Sequence, residues 1–343
     1  MNIGSGRLGA AAARRPSPGS KEGGESMSDV AAKGPPGRVP PKRVEWPTLA
    51  VAALIYGGFG LATWYYHALP WWLVLPLGGY LVAWHGSLQH EAVHGHPTPW
   101  ARVNEALVFP SLWLWLPFRL YRESHLAHHR DEVLTDPARD PESFYVAPEA
   151  WDRLGPLGRA YFWTANTLAG RLSIEPARCV WLLFAEQARR LVRGDTASLV
   201  PWLLHLAGSA LVLLWALWVC GIPLVDYLAF FAYPGISLTL LRSFLEHQAR
   251  PQVGERSVLV EAGWPLALMF LNNNLHALHH AEPGLAWYKL PARYRGRREA
   301  LLAQNGGYRY GGYLEIAARH LLRPKEHPRH PLGAAGARSL QVP

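Results

Sequence analysis

The chain has 343 residues, 50% of them hydrophobic and only 17% charged, with 16 Trp and a formal net charge of +9. Soluble domains carry about 25% charged residues, and the deficit here is local: from Trp46 to His90, 45 residues, there is no Asp, Glu, Lys or Arg. This argues against an ordinary soluble core. No nucleic-acid-binding motif accompanies the basic charge, and two cysteines, Cys179 and Cys220, are too few for a four-thiolate iron–sulfur site.

Residues 1–43 are rich in Gly, Pro, Ala, Ser and basic residues, a composition expected to stay disordered. They contain no apolar stretch of signal-peptide type, and Met27 is an alternative start to Met1. A membrane domain is expected over 44–322. The uncharged stretch would be roughly 68 Å long as helix at about 1.5 Å per residue. A bilayer core is about 30 Å thick, so two crossings are expected, 47–66 and 71–88, with a turn at His67-Ala68-Leu69-Pro70. The apolar piece 106–118 is short and broken by Pro110 and Pro117, which predicts a re-entrant or interfacial segment.

A polar region covers 119–196, and within it 161–172 and 180–192 have the Trp, Phe and Arg content of amphipathic helices lying on a membrane. The third crossing is expected at 199–222, with a turn at Gly221-Ile222-Pro223, and the fourth at 225–245. Beyond Arg250 the chain is mostly polar apart from 264–271, and 323–343 is expected to be a disordered tail. The fold class predicted is an all-α integral membrane protein: four transmembrane helices under a cytoplasmic helical cap.

Orientation follows from charge. The two short turns carry no Lys or Arg, whereas the segment before the first crossing carries Arg7, Arg14, Arg15, Lys21, Lys33, Arg38, Lys42 and Arg43. The positive-inside rule then puts both termini and the middle region in the cytoplasm. A basic face against anionic lipid headgroups accounts for the charge.

Nine histidines fall into four groups: His90 and His94 in HEAVH; His125, His128 and His129 in HLAHH; the single His247; and His276, His279 and His280 in HALHH. All four fall on the cytoplasmic side of that topology. Residues three and four apart share a helix face, so each box is expected to act as one chelating face. Imidazole suits Zn, Cu, Fe and Ni, and nine ligands are too many for one ion but suit two. His67, His205, His320, His327 and His330 are isolated and are assigned no role, and His85 and His96 are only near the boxes in sequence.

HEAVH is also HExxH, in which two histidines hold zinc and the glutamate is a general base. A metalloprotease would leave the six histidines of the two HxxHH boxes unused. A metal-binding or transport protein would use the histidines without chemistry, but transport sites sit near the bilayer midplane, not at helix ends.

The set HEAVH, HLAHH, Glu246-His247 and HALHH resembles the membrane-bound fatty acid desaturase and hydroxylase superfamily over roughly residues 47–295. HHRDEVLTDPARDPESFY and LAWYKLPARYR look like its bacterial branch. The resemblance implies a non-haem diiron centre held by His90, His94, His125, His128, His129, His247, His276, His279 and His280, with O₂ as co-substrate. It implies a fatty acyl or membrane lipid substrate and desaturation, with hydroxylation or oxidative decarboxylation as alternatives. No electron-transfer domain is fused to the chain, so a separate ferredoxin, rubredoxin or cytochrome with an NAD(P)H reductase is expected, in a bacterial inner membrane. The chain departs from animal-type acyl-CoA desaturases at Ser243, where those enzymes have an Asn that positions a metal-bound water. Asn272, one turn before His276, is a candidate to orient ligands, as are Glu246, Asp131, Asp136 and Asp140, although solvated-loop or capping roles are the simpler expectation for each acid.

Overall fold

In the computed structural model, which describes residues 41–331, helix α1 (Trp46–Trp64) begins with proline in its first turn, where the missing N–H would be unpaired anyway. Pro70 then caps α2 (Trp71–Val93). Asp131 is described by its backbone alone, and all but the last three residues of the predicted tail 1–43 lie outside the described residues. There follow α3 (Ala101–Leu107), α4 (Phe118–His128), α5 (Pro156–Ala165), α6 (Leu168–Ser173) and α7 (Glu175–Val192). Two long helices come next, α8 (Leu199–Val219) and α9 (Leu224–Ser243). Each contains one π-helical stretch, Leu214–Val219 and Leu228–Ala232 respectively. The chain ends with α10 (His276–Ala281), α11 (Leu290–Gln304) and α12 (Tyr313–His320). A short parallel pair, β1 (Leu259–Val260) with β2 (Arg309–Tyr310), ties the segment before α10 to the segment before α12.

Among the described residues, α1, α8 and α9 are long and apolar enough to cross a membrane. Their outer faces carry Leu54, Leu61, Leu203, Leu206 and Trp218, all more than half exposed, the surface a lipid environment would cover. The sequence predicts a further crossing, the second in chain order, at 71–88. The helix there, α2, runs further, to Val93, and differs from the other three in its surroundings. It is buried from Leu81 to its end, packed against α1 and α9. Its last two turns hold Ser87, Gln89, His90 and Glu91. These polar residues face protein, the setting in which a membrane helix tolerates them.

The approach of these helices is set by small residues. A Cβ on Gly235 of α9 would lie 2.3 Å from Val82 Cγ1 of α2, and one on Gly208 of α8 would lie 2.1 Å from the carbonyl oxygen of Phe109. Of the segment 106–118, predicted to be re-entrant or interfacial, residues 108–117 are irregular and packed inside the protein, with Leu112, Trp113, Trp115 and Leu116 buried. Its carbonyls would be costly without partners. Tyr227 donates to Leu112 O at 2.7 Å and His205 lies 3.2 Å from Leu114 O, while Tyr56 donates to Leu107 O at 2.6 Å where α3 ends.

The polar half forms the cap. Helices expected at 161–172 and 180–192 are present, the first broken at Asn166 and Thr167 into α5 and α6 and the second as part of α7. Of the stretch 323–343 predicted to be a disordered tail, 332–343 lies outside the described residues, and the part before it is docked as far as His330: Lys325 N donates to Asn166 O at 3.0 Å, Val146 N to Pro328 O at 2.8 Å, and His330 N to Val146 O at 2.9 Å. Composition does not reveal that docking, because the partners are backbone groups distant in sequence.

Gly208→Ala should be destabilising by about 1–3 kcal/mol, the usual cost of overpacking, because the blocking atom is backbone and cannot swing aside. Melting of the purified protein in detergent, followed by Trp fluorescence, would check this; an unchanged melting temperature would contradict the close α8 contact.

Candidate metal centre

Each histidine segment sits where a helix ends. His90 is in the last turn of α2 and His94 caps it; His125 and His128 close α4 and His129 caps it. His247 follows the end of α9 and is fixed by a bridge to Ser257. His276, His279 and His280 are half of the six-residue α10.

All nine converge, but as two groups that cut across the sequence boxes. His90, His94, His125, His129 and His279 form one; His128, His247, His276 and His280 form the other, and within each group the candidate ligand atoms lie within 4.8 Å of one another. The expectation that each HxxHH acts as one face is corrected here. The i,i+4 pair of HLAHH serves the first group and its middle histidine the second; HALHH does the reverse. Neighbouring residues on a helix diverge by about 100°, so His128 and His129 turn to different centres, as do His279 and His280.

The lone pairs face inward. His128 Nδ1 is 2.8 Å from Asp140 Oδ1, His125 Nδ1 is 3.1 Å from Glu142 Oε1, and His276 Nδ1 is 3.2 Å from Asn273 Oδ1. An oxygen acceptor holds the proton on each Nδ1 and leaves Nε2 as the donor atom for a metal. Those Nε2 atoms meet one another: His128 to His247 at 2.9 Å, His276 to His247 at 3.1 Å, His129 to His125 at 3.1 Å and His279 to His129 at 3.1 Å. Lone pairs brought this close repel unless a cation lies between them, so the donor set fits two metal ions. Burial, with repulsion among the imidazoles, keeps the pKa of His129, His247, His276 and His279 well below the ordinary range, and the neutral ring is the metal-binding form. At His128 burial acts downward, but Asp140 and Glu142 raise its pKa to about 9.

The supporting residues differ in part from those predicted. Asn272 turns away and donates to Trp287 O at 3.1 Å; its neighbour Asn273 reaches the site. The Asn273 amide accepts from His276 and places its nitrogen 3.2 Å from His90 Nε2, joining a ligand of each group. Three adjacent asparagines precede His276, and spacing alone does not say which faces inward. Asp140 is buried against His128, not solvated, and Glu142, which the sequence reading missed, does the same for His125. Glu246 lies 3.5 Å from His276 Nδ1 while pairing with Arg242 at 2.9 Å. Asp136 caps the backbone of Ala138 and Arg139. Ser243 bonds its own helix at Leu240 O, and the side chain of Asp131 lies outside the described residues.

The remaining histidines are outside both groups. His85 contacts Tyr56 OH at 3.1 Å and His96 contacts Glu45 at 2.8 Å. His67, His205, His320 and His330 contact polar groups of the fold, and His327 accepts from Arg329 N.

Asn273→Ala and Asp140→Ala should each weaken metal binding by about 10- to 100-fold, the usual effect of removing a ligand's supporting partner. Iron per protein after dialysis against a graded chelator measures this. Unchanged retention in both variants would remove their supporting role.

The family model for fatty acid desaturases matches residues 66–312, which takes in all four histidine segments. No curated protein matches the chain. With most of its length matched and its histidines gathered as described, this chain belongs to the fatty acid desaturase family, membrane oxidoreductases of the non-haem diiron type.

Proposed function

We propose that the protein is an O₂-dependent desaturase of an aliphatic chain, with the nine histidines as the ligands of two iron ions. The observation that carries this reading is the division of nine inward-facing imidazoles into two tight groups. Bound iron would supply the oxidation of an unactivated C–H bond, chemistry that protein side chains lack. The chain's own residues orient and shield. Asp140, Glu142 and Asn273 fix the ligand tautomers. Beside His128 and His247 lies a cavity of about 60 Å³, walled in part by Trp113, Trp115, Phe144 and Phe244, which would hold the reacting segment and exclude water.

In this reading α2 is the fourth crossing, and its hydropathy is low because it is enclosed by α1 and α9. The metal site and both termini then face the cytoplasm, in a bacterial inner membrane. Two electrons are needed for each turnover, and a separate ferredoxin, rubredoxin or cytochrome with its NAD(P)H reductase would bring them. The protease reading is disfavoured by the site. The HEAVH histidines share their group with three others, and Glu91 is buried, with its carboxylate 3.4 Å from Trp287 N.

His128→Ala and His279→Ala, one from each group, should each abolish product and lower iron content. Mass spectrometry of the lipids of expressing cells, with metal analysis, reads both; retained activity in both variants would end the diiron reading. The same product analysis separates desaturation from hydroxylation and decarboxylation. Purified iron-loaded protein should turn over only when a donor and reductase are added, measured as oxygen uptake; full turnover without them would contradict the need for a separate donor.

A further inference from the structure

The cavity beside His128 and His247 is lined by several ionised side chains, and their pairing singles one out. Asp140 is held by His128, and Glu142 by His125. Arg242 lies 2.9 Å from Glu246, and Lys325 lies 2.7 Å from Glu326. Arg171 of α6 lines the same cavity and is 3% exposed, yet its Nε and Nη1 donors have no hydrogen-bond partner among the described residues. The acid one turn on, Glu175, is already engaged by Arg178 at 2.7 Å and Tyr161 at 2.9 Å.

The Phe144 ring lies under the guanidinium, 3.5 Å from its central carbon. Stacking covers one face of the ion but cannot satisfy N–H groups that lie in its plane. Burial lowers the Arg171 pKa only to about 10, so the ion persists at neutral pH. A buried, hydrogen-bond-poor cation is costly unless something pairs with it. Four carboxylates line this cavity against Arg171, Arg242 and Lys325, so a dianionic phosphate would be repelled, and a monoanion would be held by hydrogen bonds to the unpartnered Arg171 donors and not by a surplus of positive charge. The cavity of about 60 Å³ has room for a carboxylate and the first carbons of the chain attached to it.

We propose that Arg171 anchors the carboxylate of the substrate, so that the enzyme takes a free acid, not an acyl ester of a membrane lipid. The inference rests on the desaturase reading for what happens next, but the binding it asserts is independent of turnover. Charge-assisted hydrogen bonds from the two unpartnered donors would hold the acid at one end of the cavity, with the imidazole groups on another wall.

The test uses the full-length iron-loaded protein and equilibrium binding of radiolabelled palmitate, with octanoate, methyl palmitate and phosphatidylcholine as competitors. Palmitate should bind saturably and octanoate should compete, while methyl palmitate and phosphatidylcholine compete poorly. Arg171→Gln should weaken palmitate binding by about 10- to 100-fold, and Arg171→Lys by less. Without ligand, Arg171→Gln should melt no lower than the parent, because an uncompensated charge has been removed; palmitate should raise the melting temperature of the parent and not of the variant. Competition by the ester or the phospholipid equal to that of the free acids would overturn the proposal, as would unchanged binding in Arg171→Gln or no palmitate binding at all. If Arg171→Gln does not fold, the competition series on the parent and the Lys variant decide it. Palmitate binding with no oxygen uptake in the presence of a donor system would sink the desaturase reading and leave the anchor standing; turnover that does not distinguish acid from ester would do the reverse.

Discussion

Imidazole nitrogens whose lone pairs face one another at 2.9–3.1 Å repel unless positive charge is placed among them. The His128, His276 and His247 Nε2 atoms lie 2.9 and 3.1 Å apart in sequence around His247, and the His125, His129 and His279 Nε2 atoms make a similar chain. Much of the architecture follows from holding such a cluster in the right protonation state. Each Nδ1 that faces an acceptor is fixed as a donor, and the acceptors, Asp140, Glu142 and Asn273, come from loops between the helices. Helix ends bring the rings together, and the loops set their tautomers.

The same constraint explains the position of α2. A helix ending in His90 and Glu91 cannot present that end to lipid without a large cost. It is enclosed by its neighbours, and Val82 of α2 comes within contact of the backbone at Gly235 of α9. The helices around it carry the apolar outer surface. Between the two regions the irregular segment 108–117 is tolerated because Tyr227 and His205 take up its carbonyls. An irregular backbone at this depth has to be enclosed in protein, and the tryptophans it carries, Trp113 and Trp115, then become a wall of the cavity beside the metal ligands.

The cap is held by contacts between distant parts of the chain. The β1–β2 pair fixes the segment leading to α10, and residues 325–330 lie against the backbone at Val146 and Asn166. Lys325 also bonds the carbonyl of His247, so the last described part of the chain helps to hold that residue.

Much of the molecule is legible in the sequence. A run of 45 uncharged residues is too long for a soluble core, and nine histidines, eight of them at i,i+3 and i,i+4 spacings with His247 standing alone, mark a metal site. Both signals are local, and local spacing determines which residues share a helix. It does not determine where a second helix arrives. The separation of His128 from His125 and His129, and of His279 from His276 and His280, was decided by tertiary packing. So was the choice of Asn273 over Asn272, since the positive φ of Asn272 turns its side chain away at a bend that spacing does not encode. Glu142 and Arg171 look like ordinary charged residues in the sequence. Only burial, which depends on the whole fold, makes one a support for His125 and leaves the other with unpartnered donors.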